Sequence, residues 1–343
     1  MEWMNQVHGE PLSWLLEEDL EFPAVRYCAM RDLLDYEPDD PRLVAARDAA
    51  MHSGTIPAIL DAQEPEGYWV KPGAGYSPKY QGTVWQIIFL AQMGADGDNP
   101  IVRKGCDYVL NNNRSSWGGF SYNASLAGMI HCLEGNLCSA LVDLGFLGDE
   151  RLDEALEWMA RSVTGEGIAP AEERNAAVHY YLSGNCAPGF ACSANNRLPC
   201  AWGAVKVMLA LGKVPQSLRT GNIKSAIEVG REFLLSRDPA VADYPMGYKD
   251  TPSRSWFQFG FPLGYVADVL QTLEALVGLG CGEDVRLTPA LDMLLSKQDE
   301  QGRWKMEYSY NGKMWSDIEN KGKPSKWVTL RALRVLKAAS QPA

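Results

Sequence analysis

The chain has 343 residues, 46% apolar and 22% charged, a composition that excludes wholesale disorder. Its net charge of −11 gives a phosphate backbone nothing to pull on, so nucleic acid is excluded as a partner. No run reaches the roughly 18 apolar residues of a membrane span, and Met1-Glu2-Trp3-Met4 does not open a signal peptide; the expectation is a soluble, cytoplasmic protein whose eight cysteines are thiols or metal ligands.

One unit recurs in chain order: an apolar helix, a glycine, a short loop, a cap residue and a second, amphipathic helix. Residues 23–35 pair with 41–63, 79–93 with 100–112, 132–144 with 150–163, 200–211 with 223–237, and 261–279 with 289–298. Gly94, Gly145, Gly212 and Gly280 end first helices, where glycine can take the left-handed conformation. Asp40-Pro41, Asn99-Pro100, Asn222-Ile223 and Thr288-Pro289 open second helices. A sixth first helix, 326–339, has no partner after it, and residues 11–20 are expected to supply one.

First helices begin 53 to 68 residues apart, too irregular for a solenoid of one short repeat. They are apolar nearly all round, as in Val84-Trp85-Gln86-Ile87-Ile88-Phe89, whereas the second set carries a polar face, as in Arg151-Leu152-Asp153-Glu154. The first set is expected to be buried on both sides and the second on one. The predicted fold is therefore all-α, an (α/α)6 toroid of six inner and six outer helices. It occupies residues 1–343 as one domain, with 1–22 closing the outer ring. Charge supports closure: residues 1–50 carry 12 acidic and 4 basic side chains, residues 297–343 carry 5 and 10, and a ring sets these opposite ends side by side.

A motif, Gln-x3-Gly-x-Trp, follows two outer helices, at Gln63–Trp69 and Gln298–Trp304, with a degenerate copy ending Trp117-Gly118-Gly119-Phe120. Glutamine can bond the next hairpin's backbone, glycine makes the turn and tryptophan covers the joint. With two full copies of this motif at equivalent places in a six-hairpin chain, the sequence resembles the squalene-cyclase and protein-prenyltransferase superfamily over about residues 20–339. The resemblance implies a toroid around a central, largely apolar cavity. Departures limit what it implies about chemistry. The superfamily's Asp-x-Asp-Asp acid has only Glu37-Pro38-Asp39-Asp40 as a counterpart, and Asp40 before Pro41 reads as a helix cap. The zinc-binding Asp-x-Cys pair of prenyltransferases is absent.

Cysteines gather at two inner-helix starts. Cys132, after His131, opens one; Cys200 opens the next, preceded by Cys186 and Cys192 in a long loop. Helix N-termini favour thiolates, and three or four thiolates make a tetrahedral zinc site. Cys132, Cys186, Cys192 and Cys200 are the candidate Zn2+ ligands; a metal-free reactive thiol and inert packing stay open beside them. The loops 118–135 and 165–199 are long enough to be functional. Lys206 and Asp268 fall inside apolar inner-helix runs, where a charge needs a partner. They are read as either an acid–base couple or a structural ion pair. Tyr80, Trp85, Trp202, Trp256, Tyr265 and Trp327 are candidate substrate contacts, and Lys326, in the basic stretch 320–326, is a candidate for an anionic head group.

The first functional reading is an enzyme acting on an apolar, isoprenoid-sized molecule within the barrel, with aromatic faces able to stabilise a carbocation. Its candidate catalytic residues are Cys132, Cys200, Lys206, Asp268 and His131. A zinc or thiolate enzyme with chemistry at the cysteine rim is a second reading. A non-catalytic binding toroid with a structural metal is a third. A homodimer is left open.

Overall fold

The computed structural model describes residues 2–179 and 182–341. The described residues form helices and isolated bridges, with no strand. The helices are α1 (Pro11–Leu15), α2 (Pro23–Asp32), α3 (Pro41–His52), α4 (Thr55–Leu60), α5 (Thr83–Gln92), α6 (Pro100–Asn112), α7 (His131–Asp143), α8 (Glu150–Thr164), α9 (Ala201–Gly212), α10 (Gly221–Leu235), α11 (Val269–Gly278), α12 (Thr288–Ser296) and α13 (Lys326–Ala339).

Local chemistry starts these helices. Asp40, Asn99, Asp149, Thr220, Asp268 and Ser325 each accept a hydrogen bond from an N–H of the first turn, and Pro23, Pro41 and Pro100 occupy first helical positions. Gly94, Gly145 and Gly280 take positive φ just beyond helix ends. Gly212 does not: it is the last residue of α9, with Lys213 as the cap. The outer helix expected over 41–63 is broken at Ser53-Gly54 into α3 and α4, and two expected inner helices start later than the apolar pattern suggests. Residues 79–82 and 261–268 lie outside helices, because Pro78, Pro262 and Gly264 interrupt the backbone ladder there.

Helices α2, α5, α7, α9, α11 and α13 form the inner ring. Neighbours pack in the order α5, α7, α9, α11, α13, α2, and the circle closes where Tyr27 and Cys28 of α2 abut Gly94 after α5. Most residues of α5, α7, α9, α11 and α13 are buried, polar ones among them. Helices α3, α6, α8, α10 and α12 pack outside them with one face exposed, and α1 lies against α13 and α2.

The two Gln-x3-Gly-x-Trp copies make the same joint twice. Trp69 Nε1 donates to Ile59 O at 2.7 Å, and its backbone N–H donates to Thr83 Oγ1 of the next inner helix. Trp304 Nε1 donates to Leu294 O at 2.7 Å, and its N–H to Thr329 Oγ1. Gln63 reaches Ile101 O at the start of the next outer helix. Gln298 instead reaches Gln6 O and accepts from His8 N–H. The N-terminal segment thus stands where the sixth outer element belongs. Across the seam Lys337 pairs with Asp35, Arg334 with Asp32, and Lys326 with Asp19 and Glu17. No helix among the described residues is long and apolar enough to cross a membrane.

Candidate functional site

All six inner helices contribute to one cavity of about 420 Å3, within the ~300–1,000 Å3 usual for small-molecule sites. Its wall comes mainly from their C-terminal halves. Ile88, Leu209, Leu263 and Val335 share it with Asn136, Lys206, Gln271 and Arg331. The space is therefore amphipathic rather than largely apolar, because each inner helix turns at least one polar residue to the centre.

Lys206 is 1% exposed. Its Nζ donates to Val266 O at 3.3 Å and to Gln271 Oε1. Burial pushes its pKa down to about 7, since the charged form loses its hydration. The expected Lys206–Asp268 couple is not formed. Asp268 precedes α11 rather than lying within it, and its Oδ1 accepts from Gln271 N–H at 2.6 Å. Its carboxylate pairs with Arg331 at 3.3 Å, while Arg331 also bonds Glu274 at 2.8 Å and Gly260 O at 2.7 Å. A planar guanidinium fork satisfies two carboxylates at once, which leaves the amine with neutral partners only.

The four cysteines expected to share a metal divide into two groups. The free thiol of Cys192 lies beside that of Cys200, and Cys200 beside Cys132, in a file at the N-terminal ends of α7 and α9. Contact with the Cys132 sulfur and burial push the Cys200 thiol up to about 12, and Cys192 is raised as well, first by Cys200. Burial and thiol–thiol contact thus outweigh the helix N-terminus, and these two are thiols at neutral pH. Cys186 turns away: its Sγ donates to Glu134 Oε2 at 2.8 Å and lies 3.4 Å from Ser162 Oγ. His131 Nε2 is 2.9 Å from the same Ser162 hydroxyl. Burial holds His131 neutral down to about pH 3 and raises Glu134 to about 8. Glu134 does not stand out in the sequence. Its signal is the His131-x-x-Glu134 spacing, one turn apart on α7, with Cys186 supplied by the loop.

The aromatic candidates fall into three places. Tyr80, Trp85 and Tyr265 join Tyr76 and Tyr310 in a cluster at the N-terminal end of the ring; Tyr80 stacks on Tyr310 at 4.2 Å and Trp85 lies 5.3 Å from Tyr265. Lys79 Nζ lies 5.3 Å from the Tyr80 and Tyr265 ring centres. Trp202 and Trp256 meet at 6.5 Å near Tyr244, away from this cluster. Trp327 stacks flat on Phe261 at 4.2 Å. None of these six lines the cavity. Lys326 is held by Asp19 at 3.0 Å and lies outside the cavity lining. Asp40 is a cap, bonded to the Arg42 N–H at 2.8 Å.

No protein-family model matches the chain, and no curated protein matches it. Among solved structures it is similar to the type II terpene cyclase MstE from Scytonema, at 13% identity and a TM-score of 0.31, over 85% of this chain and 97% of that one. A variant of that cyclase in complex with geranylgeranyl dihydroxybenzoate, its substrate, aligns at 14% identity and a TM-score of 0.32, over 86% and 97%. Identities and scores this low carry no argument about this chain's chemistry. The all-α architecture stands on the chain's own helices.

Proposed function

We propose that the protein is an enzyme that takes a small molecule with an isoprenoid-sized apolar part into the central cavity and moves a proton there with Lys206. The observation that carries this reading is Lys206 itself: a buried amine in the cavity wall, with no carboxylate paired to it among the described residues and a pKa near 7. A lysine half deprotonated at neutral pH can serve as a general base or an amine nucleophile, and a perturbed group in a cleft is a functional-site candidate.

Chemistry narrows the reaction class. An ammonium with a pKa near 7 is too weak an acid to protonate an unactivated alkene, which matches the missing Asp-x-Asp-Asp string. Proton abstraction beside a carbonyl, or attack on one, suits the amine. At the cavity wall Arg331 is held by Asp268 and Glu274 and Lys213 by Asp143, while Arg31 and Arg334 share the one carboxylate of Asp32.

The test uses a farnesyl aldehyde with cyanoborohydride. The lysine amine and the aldehyde condense to an imine with loss of water, and cyanoborohydride reduces the imine to a secondary amine. Peptide mass spectrometry is expected to find the adduct on Lys206, more of it at pH 8 than at pH 6, and none there in Lys206→Met. Labelling confined to surface lysines would refute the reading.

A further inference from the structure

Away from the cavity, between inner helix α7 and outer helix α8, lies a second cluster that the proton chemistry above does not use. His131 and Glu134 stand one helical turn apart at the start of α7, and Cys186 reaches them from the loop before α9. All three are buried, at 3%, 0% and 0% exposure. One donor atom from each lies within 4.8 Å of the other two. Ser162 of α8 sits beside both His131 and Cys186. Backbone contacts fix the arrangement: His131 N–H donates to Asn185 O at 3.2 Å, and Ile130 bridges Asn185.

We propose that His131, Glu134 and Cys186 bind one zinc-class ion that fastens the loop 165–200 to the helical ring. Nitrogen, oxygen and sulfur donors in one site suit zinc, whereas calcium and magnesium take oxygen alone. Charge balances: on binding, the Cys186 thiol and the Glu134 carboxyl release their protons to solvent, and thiolate and carboxylate together offset the dication. His131 adds a neutral donor. Ser162 Oγ is the neighbour for a fourth position. A separate sign is Glu134 Oε1, a buried oxygen with no partner of hydrogen-bond geometry, although the Phe120 backbone amide lies near the carboxyl and lowers its pKa.

The loop explains the need. Its described residues link α8 to α9 through short 3-10 turns and single bridges, with no α-helix among them, and loops this long in a compact fold are usually functional or disordered. A metal whose ligands come from the helix and the loop couples loop docking to ion binding. This differs from the four-cysteine site expected from sequence, of which only Cys186 remains.

The test starts with full-length protein expressed with zinc and assayed by plasma mass spectrometry, where one equivalent is expected. Cys186→Ala and Glu134→Gln are expected to lose it, and Cys132→Ala and Cys200→Ala to keep it. Should the first pair fail to fold, Co2+ exchanged into the unmodified chain gives a readout without mutation: tetrahedral bands with the charge-transfer intensity of a single thiolate. Protein that carries no zinc and gives no cobalt–thiolate band overturns the proposal. So does metal retained in Cys186→Ala, or a spectrum of two or more thiolates, which would assign the ion to the Cys132–Cys200–Cys192 file.

Discussion

At the scale of single residues, Lys206 carries the largest electrostatic consequence. Its pKa is about 7 in the folded chain against about 10.4 when unfolded, so between those values the unfolded state binds more protons. Stability therefore rises as pH climbs from about 7 to about 10 and is lost as pH falls back toward 7. Lys206→Met should flatten this slope in denaturant titrations: the pH-dependent part of the stability, on the order of a few kcal/mol, goes with the amine, while Gln271 and Val266 left without their donor cost roughly 1–3 kcal/mol each at every pH. A Lys206→Met chain that keeps the slope between pH 7 and 10 would contradict this. Gly119 is a second sensitive point, because a Cβ there would fall 2.1 Å from Glu134 Oε1 and 2.2 Å from Trp158 Cδ1. Both neighbours are packed and buried, so Gly119→Ala is expected to lower the melting temperature and to weaken retention of metal. Lys206 is legible in the sequence as a charge inside an apolar run. Glu134 is not, since a glutamate in a first helical turn also reads as a solvated partner of the helix dipole.

At the scale of elements, the joints and the closest helix crossing decide stability. Trp69 and Trp304 are fully buried with their indole N–H groups bonded, and Trp→Ala at either is expected to cost about 3–5 kcal/mol in chemical denaturation. Gly135 of α7 faces the backbone of α9, where a Cβ would lie 2.4 Å from Lys206 C. Gly135→Ala must separate the two inner helices, with an expected loss of about 1–3 kcal/mol; an unchanged denaturation midpoint would mean that α7 and α9 are not in such close contact. Helix positions are readable from sequence because caps, prolines and glycines act locally: Asp40, Asn99 and Gly94 do what their spacing predicts. The stretch 261–268 misleads because its apolar residues, Phe261 among them, are buried by the barrel without being helical. Hydrophobic pattern reports burial, and only Pro262 and Gly264 hint at the backbone. The cysteine loop misleads for another reason: spacing along a chain does not say which way Cys186 turns.

At the scale of the whole molecule, closure joins the two chain ends. The seam holds half-buried ion pairs, such as Arg334 with Asp32 and Lys326 with Asp19, which salt screens less than exposed ones, together with buried Leu15, Val25 and Ala29 from α1 and α2. Raising the salt concentration is expected to shift the melting temperature little, whereas removing residues 1–15 should lower it markedly; the reverse order would make closure electrostatic. The closed ring is also what shields Lys206 from water, and that shielding is what lowers its pKa. The most direct measurement is an NMR titration of lysine side chains, with the Lys206 signal assigned by its absence in Lys206→Met. A midpoint near pH 7 is expected, and a midpoint above 10 would contradict a buried, proton-handling amine in the central cavity.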